Sequence, residues 1–176
     1  MNIKEINEEV FYSEEDILKL KNKDIEFLKI KAADNKRGRA RLCTHASSES
    51  SLHEMLIVLN KKTYVRPHKH LGKSESFHII EGNLKVVIFD EKGNVSEVIN
   101  MGGYNSQDKF YYKLSETYFH TVIPLSDFVV FHETTNGPFK CEDTIFAEWA
   151  PLEEESEARK IYLNSLKAQL EVDKKI

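Results

Sequence analysis

Between residues 39 and 149 no apolar run is longer than a strand, and turn residues separate one run from the next. Met55-Leu56-Ile57-Val58-Leu59 is representative: long enough for a buried strand and far too short to cross a membrane. The same reading predicts strands over 39–45, 55–59, 63–70, 75–81, 84–89, 95–99, 111–114, 119–123 and 128–133. Lys61-Lys62, Gly82-Asn83, Asp90-Glu91-Lys92-Gly93-Asn94 and Gly102-Gly103 fall between them as turns. Many short strands at even spacing predict two packed sheets, a sandwich or a jelly roll.

The flanks have a different pattern. Ser13 followed by Glu14, Glu15 and Asp16 predicts a helix start continued by Ile17 and Leu18. A second start is expected at Asp24, with Ile25, Leu28 and Ala32 at helical spacing and a break at 35–38. Residues 153–173 are expected to be helical, with Ala158, Ile161, Tyr162, Leu166 and Leu170 on one stripe. The 176 residues suit one domain with a core plus added helix. A net charge of -4 gives no basic field for nucleic acid. The first residues lack the apolar centre of a signal peptide. Cys43 and Cys141 are far apart in sequence, with no Cys-x-x-Cys, so reduced thiols in a cytoplasmic protein are expected.

Chemistry concentrates at His68-Lys69-His70, then Glu75, with Gly82 seven residues on and His120 later. Two histidines two apart on a strand share a face. Glu75 shares its face with Phe77 and Ile79, so its carboxylate enters an apolar interior, where a divalent cation offsets the desolvation. Three imidazoles and one carboxylate make a nitrogen and oxygen shell suited to Zn, Fe, Mn, Ni or Co. Four protein ligands leave one or two positions open on a five- or six-coordinate ion, as at a catalytic site.

This spacing resembles the two signatures of the cupin superfamily. The resemblance implies a mainly β fold, a cupin jelly-roll barrel (double-stranded β-helix) over 39–151. An N-terminal helical extension over 1–38 and a C-terminal helix over 152–176 would flank it. It implies one divalent metal ion on His68, His70, Glu75 and His120. Two positions depart from the pattern. Lys62 stands where the first signature usually opens with Gly, and Ser115-Glu116-Thr117 replace the Pro-x-Gly turn ahead of the last histidine. The turn before His120 must therefore take another conformation.

A narrower resemblance rests on 39–45 (Arg-Ala-Arg-Leu-Cys-Thr-His), His53-Glu54-Met55, Tyr64-Val65-Arg66-Pro67, Phe131-His132-Glu133 with Gly137-Pro138-Phe139, and Trp149-Ala150-Pro151. These are similar to WbuC-like cupin metalloproteins, found among bacterial O-antigen and surface-polysaccharide genes. The resemblance covers about residues 24–152. It implies a metal-dependent role near polysaccharide synthesis and no settled reaction.

Other residues are read each with its plainer alternative. Arg39, Arg41, Cys43 and His45 alternate onto one face, where an inward Arg41 would clamp a phosphate or carboxylate; the alternative is a surface salt-bridge row. Lys73, Ser76 and His78 flank Glu75 as candidate substrate contacts, and loop solvation accounts for Lys73 equally well. His132 and Glu133 point to opposite faces, with Glu133 taken as the inward acid or base. Tyr64, counted by twos from His68, is a candidate proton donor or simply a packed tyrosine.

Two function classes compete. The first is a metalloenzyme acting on a sugar or sugar nucleotide by isomerisation or epimerisation, with an Fe(II) dioxygenase as a variant. The second is a non-catalytic cupin that binds a glycan or metabolite. The expected partners are a small-molecule or sugar-type ligand and a second copy in a homodimer, with neither nucleic acid nor membrane.

Overall fold

The computed structural model describes residues 1–172. Two sheets face each other. The larger runs β1 (Ile3–Glu5), β2 (Val10–Ser13), β3 (Arg39–Cys43), β4 (Leu52–Asn60), β11 (Phe128–Asn136), β6 (Glu75–Glu81) and β9 (Tyr111–Leu114). The smaller runs β12 (Thr144–Phe146), β5 (His68–His70), β10 (Phe119–Pro124), β7 (Asn83–Phe89) and β8 (Val95–Gly102). The fold is therefore mainly β, a jelly-roll barrel with a helix outside each sheet.

Period-two alternation sorts the side chains into three layers. Leu84, Val86 and Ile88 of β7 point inward and meet Phe77, Ile79, Val129 and Phe131 of the larger sheet. Ala40, Leu42, Leu56 and Val58 point outward and are covered by α1 (Asn22–Asp34), which buries Leu28 and Ala32 completely. On the opposite outer face, Val87, Phe89 and Ile123 receive α2 (Ser156–Val172) through Leu166 and Leu170. Trp149 fills the gap between Phe89, Phe119 and Tyr162.

Gly82 closes the β6–β7 turn at φ +77°, and a Cβ there would press into the Phe128 carbonyl oxygen. Only glycine satisfies both conditions.

The structure departs from expectation in four places. Ser13 ends strand β2 instead of starting a helix. Its hydroxyl accepts from the Glu15 amide at 3.2 Å, and β2 pairs with β1 in antiparallel and with β3 in parallel. The helix begins at Asn22, where the Asp24 carboxylate accepts the Lys21 amide at 2.8 Å. The strand expected over 63–70 is regular only at His68–His70. Pro67 has no N–H to give to a ladder, and the preceding Val65 carbonyl is taken by the Thr121 hydroxyl at 2.5 Å. On α2 the packed stripe is Tyr162, Leu166 and Leu170, while Ile161 and Ala158 face solvent. The short strands β1, β2 and β12 have no apolar run behind them and exist through pairing to a neighbour. The expected helical residues 173–176 lie outside the described residues.

Candidate metal centre

The pairing of β5 with β10 places His120 directly opposite His68, and His70 follows on the same face of β5. Glu75 enters from β6 of the other sheet, beside Phe77 and Ile79. The three imidazoles offer nitrogen atoms that all lie within 4.8 Å of one another. Glu75 Oε1 is 2.9 Å from His120 Nε2, and Oε2 is 3.6 Å from His70 Nε2. All four residues named from the motif thus converge. The Pro-x-Gly turn is replaced by a tight turn in which the Tyr118 amide bonds the Glu116 carbonyl at 3.1 Å.

The outer nitrogen of each ring is occupied. His68 Nδ1 meets the Arg66 carbonyl at 2.9 Å, and His120 Nδ1 meets the Tyr118 carbonyl at 3.0 Å. Carbonyls only accept, so both rings carry their proton on Nδ1 and turn the Nε2 lone pair to the centre. His70 Nδ1 sits 3.2 Å from the hydroxyl of Thr144, its direct partner across the β12–β5 ladder. Outer contacts of this kind orient histidine ligands. Towards the centre, Glu75 Oε1 and His120 Nε2 are buried without a hydrogen-bond partner, despite their 2.9 Å separation. Two buried orphaned atoms aimed at one space are costly, and a cation between them removes the cost. The donor set fits a divalent metal.

Electrostatics agree. Burial, then the neighbouring His120 and His70, lower His68 to about 3, so it stays neutral. Burial also lowers His70. Burial opposes ionisation of Glu75, yet His120, with His68 and His70 beyond it, holds the carboxyl below its usual range. Burial alone would lower His120, but Glu75 raises it.

The four residues line a cavity of about 560 Å³. Glu133 of β11 lines it, as does Arg41 of β3. Burial, and then the charge of Glu75, push the Glu133 carboxyl up to about 8. His132 faces the other way, 3.7 Å from Glu54. Lys73 also lines the cavity, but its ammonium donates to the Pro138 carbonyl at 2.7 Å and pairs with Asp143 at 3.4 Å.

Three other candidates lie away from the cavity. Ser76 and His78 alternate with Glu75 and so occupy the outer face of β6, where His78 packs against Phe110. Tyr64 is buried under α2, its hydroxyl donating to the Pro151 carbonyl at 2.9 Å beside Tyr162. Counting by twos from His68 does not reach Tyr64, because the chain before Pro67 is not a regular strand. Sequence reasoning missed Thr144 and the stacking of His45 on His53, whose centroids lie 4.0 Å apart at the cavity wall. Thr144 lies outside every predicted strand, so no periodicity marked it.

The profile of a domain of unknown function, DUF6016, matches residues 20–101. Among solved structures, the chain is similar to L-ribose isomerase from Cellulomonas parahominis, solved with L-ribose. Identity is 12%, coverage is 64% of this chain and 70% of that one, and the TM-score is 0.51. It is also similar to CapF, solved with the inhibitor 3-isopropenyl-tropolone, with 19% identity, 65% and 33% coverage and a TM-score of 0.50. Protein SO0799 from Shewanella oneidensis has 11% identity, 58% and 66% coverage and a TM-score of 0.47. The chain spans 66% of that protein's length and 21% of procruciferin from Brassica napus. The search of curated proteins gave no match. At such identities the likeness shows the fold, a cupin jelly roll, and leaves the function to the site.

Proposed function

We propose that this chain is a metal-dependent cupin enzyme that isomerises or epimerises a sugar or sugar nucleotide. The observation that carries it is an ionisable Glu133 on the wall of the same cavity as the four converging metal-ligand candidates. His68, His70, Glu75 and His120 hold one divalent ion, of Zn, Fe, Mn or Ni. When bound, the ion acts as a Lewis acid on a substrate oxygen. Glu133 has its pKa near neutrality, where one group both takes and returns a proton efficiently. An isomerase needs both directions of transfer. Tyr64 has no part, since its hydroxyl is committed to Pro151.

The WbuC-like resemblance supports a place in bacterial surface-polysaccharide synthesis, in the cytoplasm, with the chain acting as a homodimer. The free cysteines, buried Cys43 and exposed Cys141, suit a reducing compartment. No described helix is long and apolar enough to cross a membrane.

The test is elemental analysis of the purified protein, then incubation of the metal-loaded form with neutral and nucleotide-linked sugars in deuterated water. Metal-dependent deuterium incorporation at a carbon next to a carbonyl, lost in Glu133→Gln, is expected. Tight sugar binding without exchange or product, under every metal, would instead identify a non-catalytic binding cupin.

A further inference from the structure

The cavity's charges do not balance. Arg37 and Arg39 point towards it but are neutralised: Arg39 bonds Glu9 at 3.1 Å and Glu153 at 3.4 Å, and Arg37 pairs with the same two acids. Lys73 is paired with Asp143. Two residues along β3 from Arg39, Arg41 lines the same cavity, half-buried, and enters none of these ion pairs. Arg66 is the second such cation. One nitrogen donates to the Ala147 carbonyl at 2.7 Å, its guanidinium stacks on Phe146 at 5.4 Å, and its Nε is buried without a partner. No described carboxylate lies within ion-pair distance of either guanidinium.

The acids of the cavity do not cancel this excess. Glu75 is directed at the three histidines, and Glu133 lies beyond ion-pair distance of both guanidiniums. A half-buried guanidinium without a counter-ion is unfavourable unless a ligand supplies one, and its planar fork matches two oxygens of one group.

We propose that the cavity binds its ligand through an oxyanion, a carboxylate or a phosphate, held by Arg41 with Arg66 adding to the field. Of the proposed substrates this selects a sugar acid or a phosphate-bearing sugar, nucleotide-linked sugars included, over a neutral sugar. This deepens the metal-dependent reading and rests on it for the rest of the ligand.

The test is calorimetric titration of the full-length protein, its metal content measured first, with inorganic phosphate, malonate and, as the neutral control, D-ribose. Phosphate or malonate is expected to bind and ribose to bind far more weakly. The anion that binds names the source. In Arg41→Gln, affinity is expected to fall about tenfold or more, with metal content and melting temperature unchanged. If that variant does not fold, Arg41→Lys, which keeps the charge without the fork, is expected to lie between. Equal anion binding in wild type and the Arg41 variants, or none to the metal-loaded wild type, overturns the oxyanion site. A wild type that takes up no added Mn or Zn overturns the metal reading instead, and the Arg41 comparison still decides the anion site.

Discussion

The two halves of the barrel interior are built from the same strands and do opposite work. On β6, Ile79 and Phe77 pack into the core, and two residues on Glu75 turns to the histidines. On β11, Val129 is core, Phe131 packs in the core and forms the cavity's apolar wall, and Glu133 and Thr135 give that wall its polar part. Side-chain alternation runs through both halves of β11, across a register shift against β6 between Val130 and Phe131. The packed half fixes strand register, and register places the polar half, since a slip of one residue would send Glu75 and Glu133 outside. The apolar half is thus the frame of the metal centre.

The largest expected effect falls in the polar half. His120→Ala removes one of the four proposed ligands and the imidazole facing Glu75 at 2.9 Å, and its metal content is expected to fall to near zero by elemental analysis while the circular dichroism spectrum stays that of a β protein. Full metal occupancy in this variant would remove His120 from the site. In the packed half, Ile79→Ala is expected to cost about 2–5 kcal/mol in urea unfolding, with metal stoichiometry kept in the folded fraction. If Ile79→Ala instead loses metal without losing stability, the division of labour between the halves is wrong.

A finer comparison is between the ligands and what orients them. Thr144→Val keeps the shape beside His70 and removes the hydroxyl at 3.2 Å. Metal affinity is expected to weaken about 10- to 100-fold with stability unchanged, measured by competition with a chelator. An unchanged affinity would mean that pairing with β12 alone holds the His70 ring.

The same division explains what could be read from the sequence. His68, His70, Glu75, Gly82 and the two-sheet architecture rest on short-range pattern, and each stands where spacing put it. His120 was also legible, although its turn departs from the common form, because strand alternation and pairing with His68 fix it more firmly than the turn does. Strands β1, β2 and β12 were not legible, since their stability comes from neighbours distant in sequence. Tyr64 misled because period-two counting holds only inside a regular strand, and Pro67 ends it. Ser76 and His78 were named for proximity to Glu75, against the alternation that turns them outward. The neutralisation of Arg37 and Arg39 by Glu9 and Glu153 joins residues over a hundred positions apart, beyond any local pattern.

The smallest effect tests whether Glu133 belongs to the polar half in more than position. Its folded pKa of about 8 is raised by burial, then by Glu75, while in the unfolded chain a glutamate titrates near 4.5. Between those values the folded state keeps a proton that the unfolded state releases, so the unfolded chain binds fewer protons and stability falls as pH rises. The contribution is complete below the unfolded value and is lost as pH climbs through the folded one. Glu133→Gln never ionises, so its stability lacks this slope. Urea midpoints of the metal-free protein are expected to decline more steeply between about pH 5 and 8 for the wild type than for Glu133→Gln. Glu133 and His120 are electrostatically linked, so the difference reads the two groups together. Parallel profiles would mean that water reaches Glu133 freely, and the acid would lose its claim to carry a proton at neutral pH.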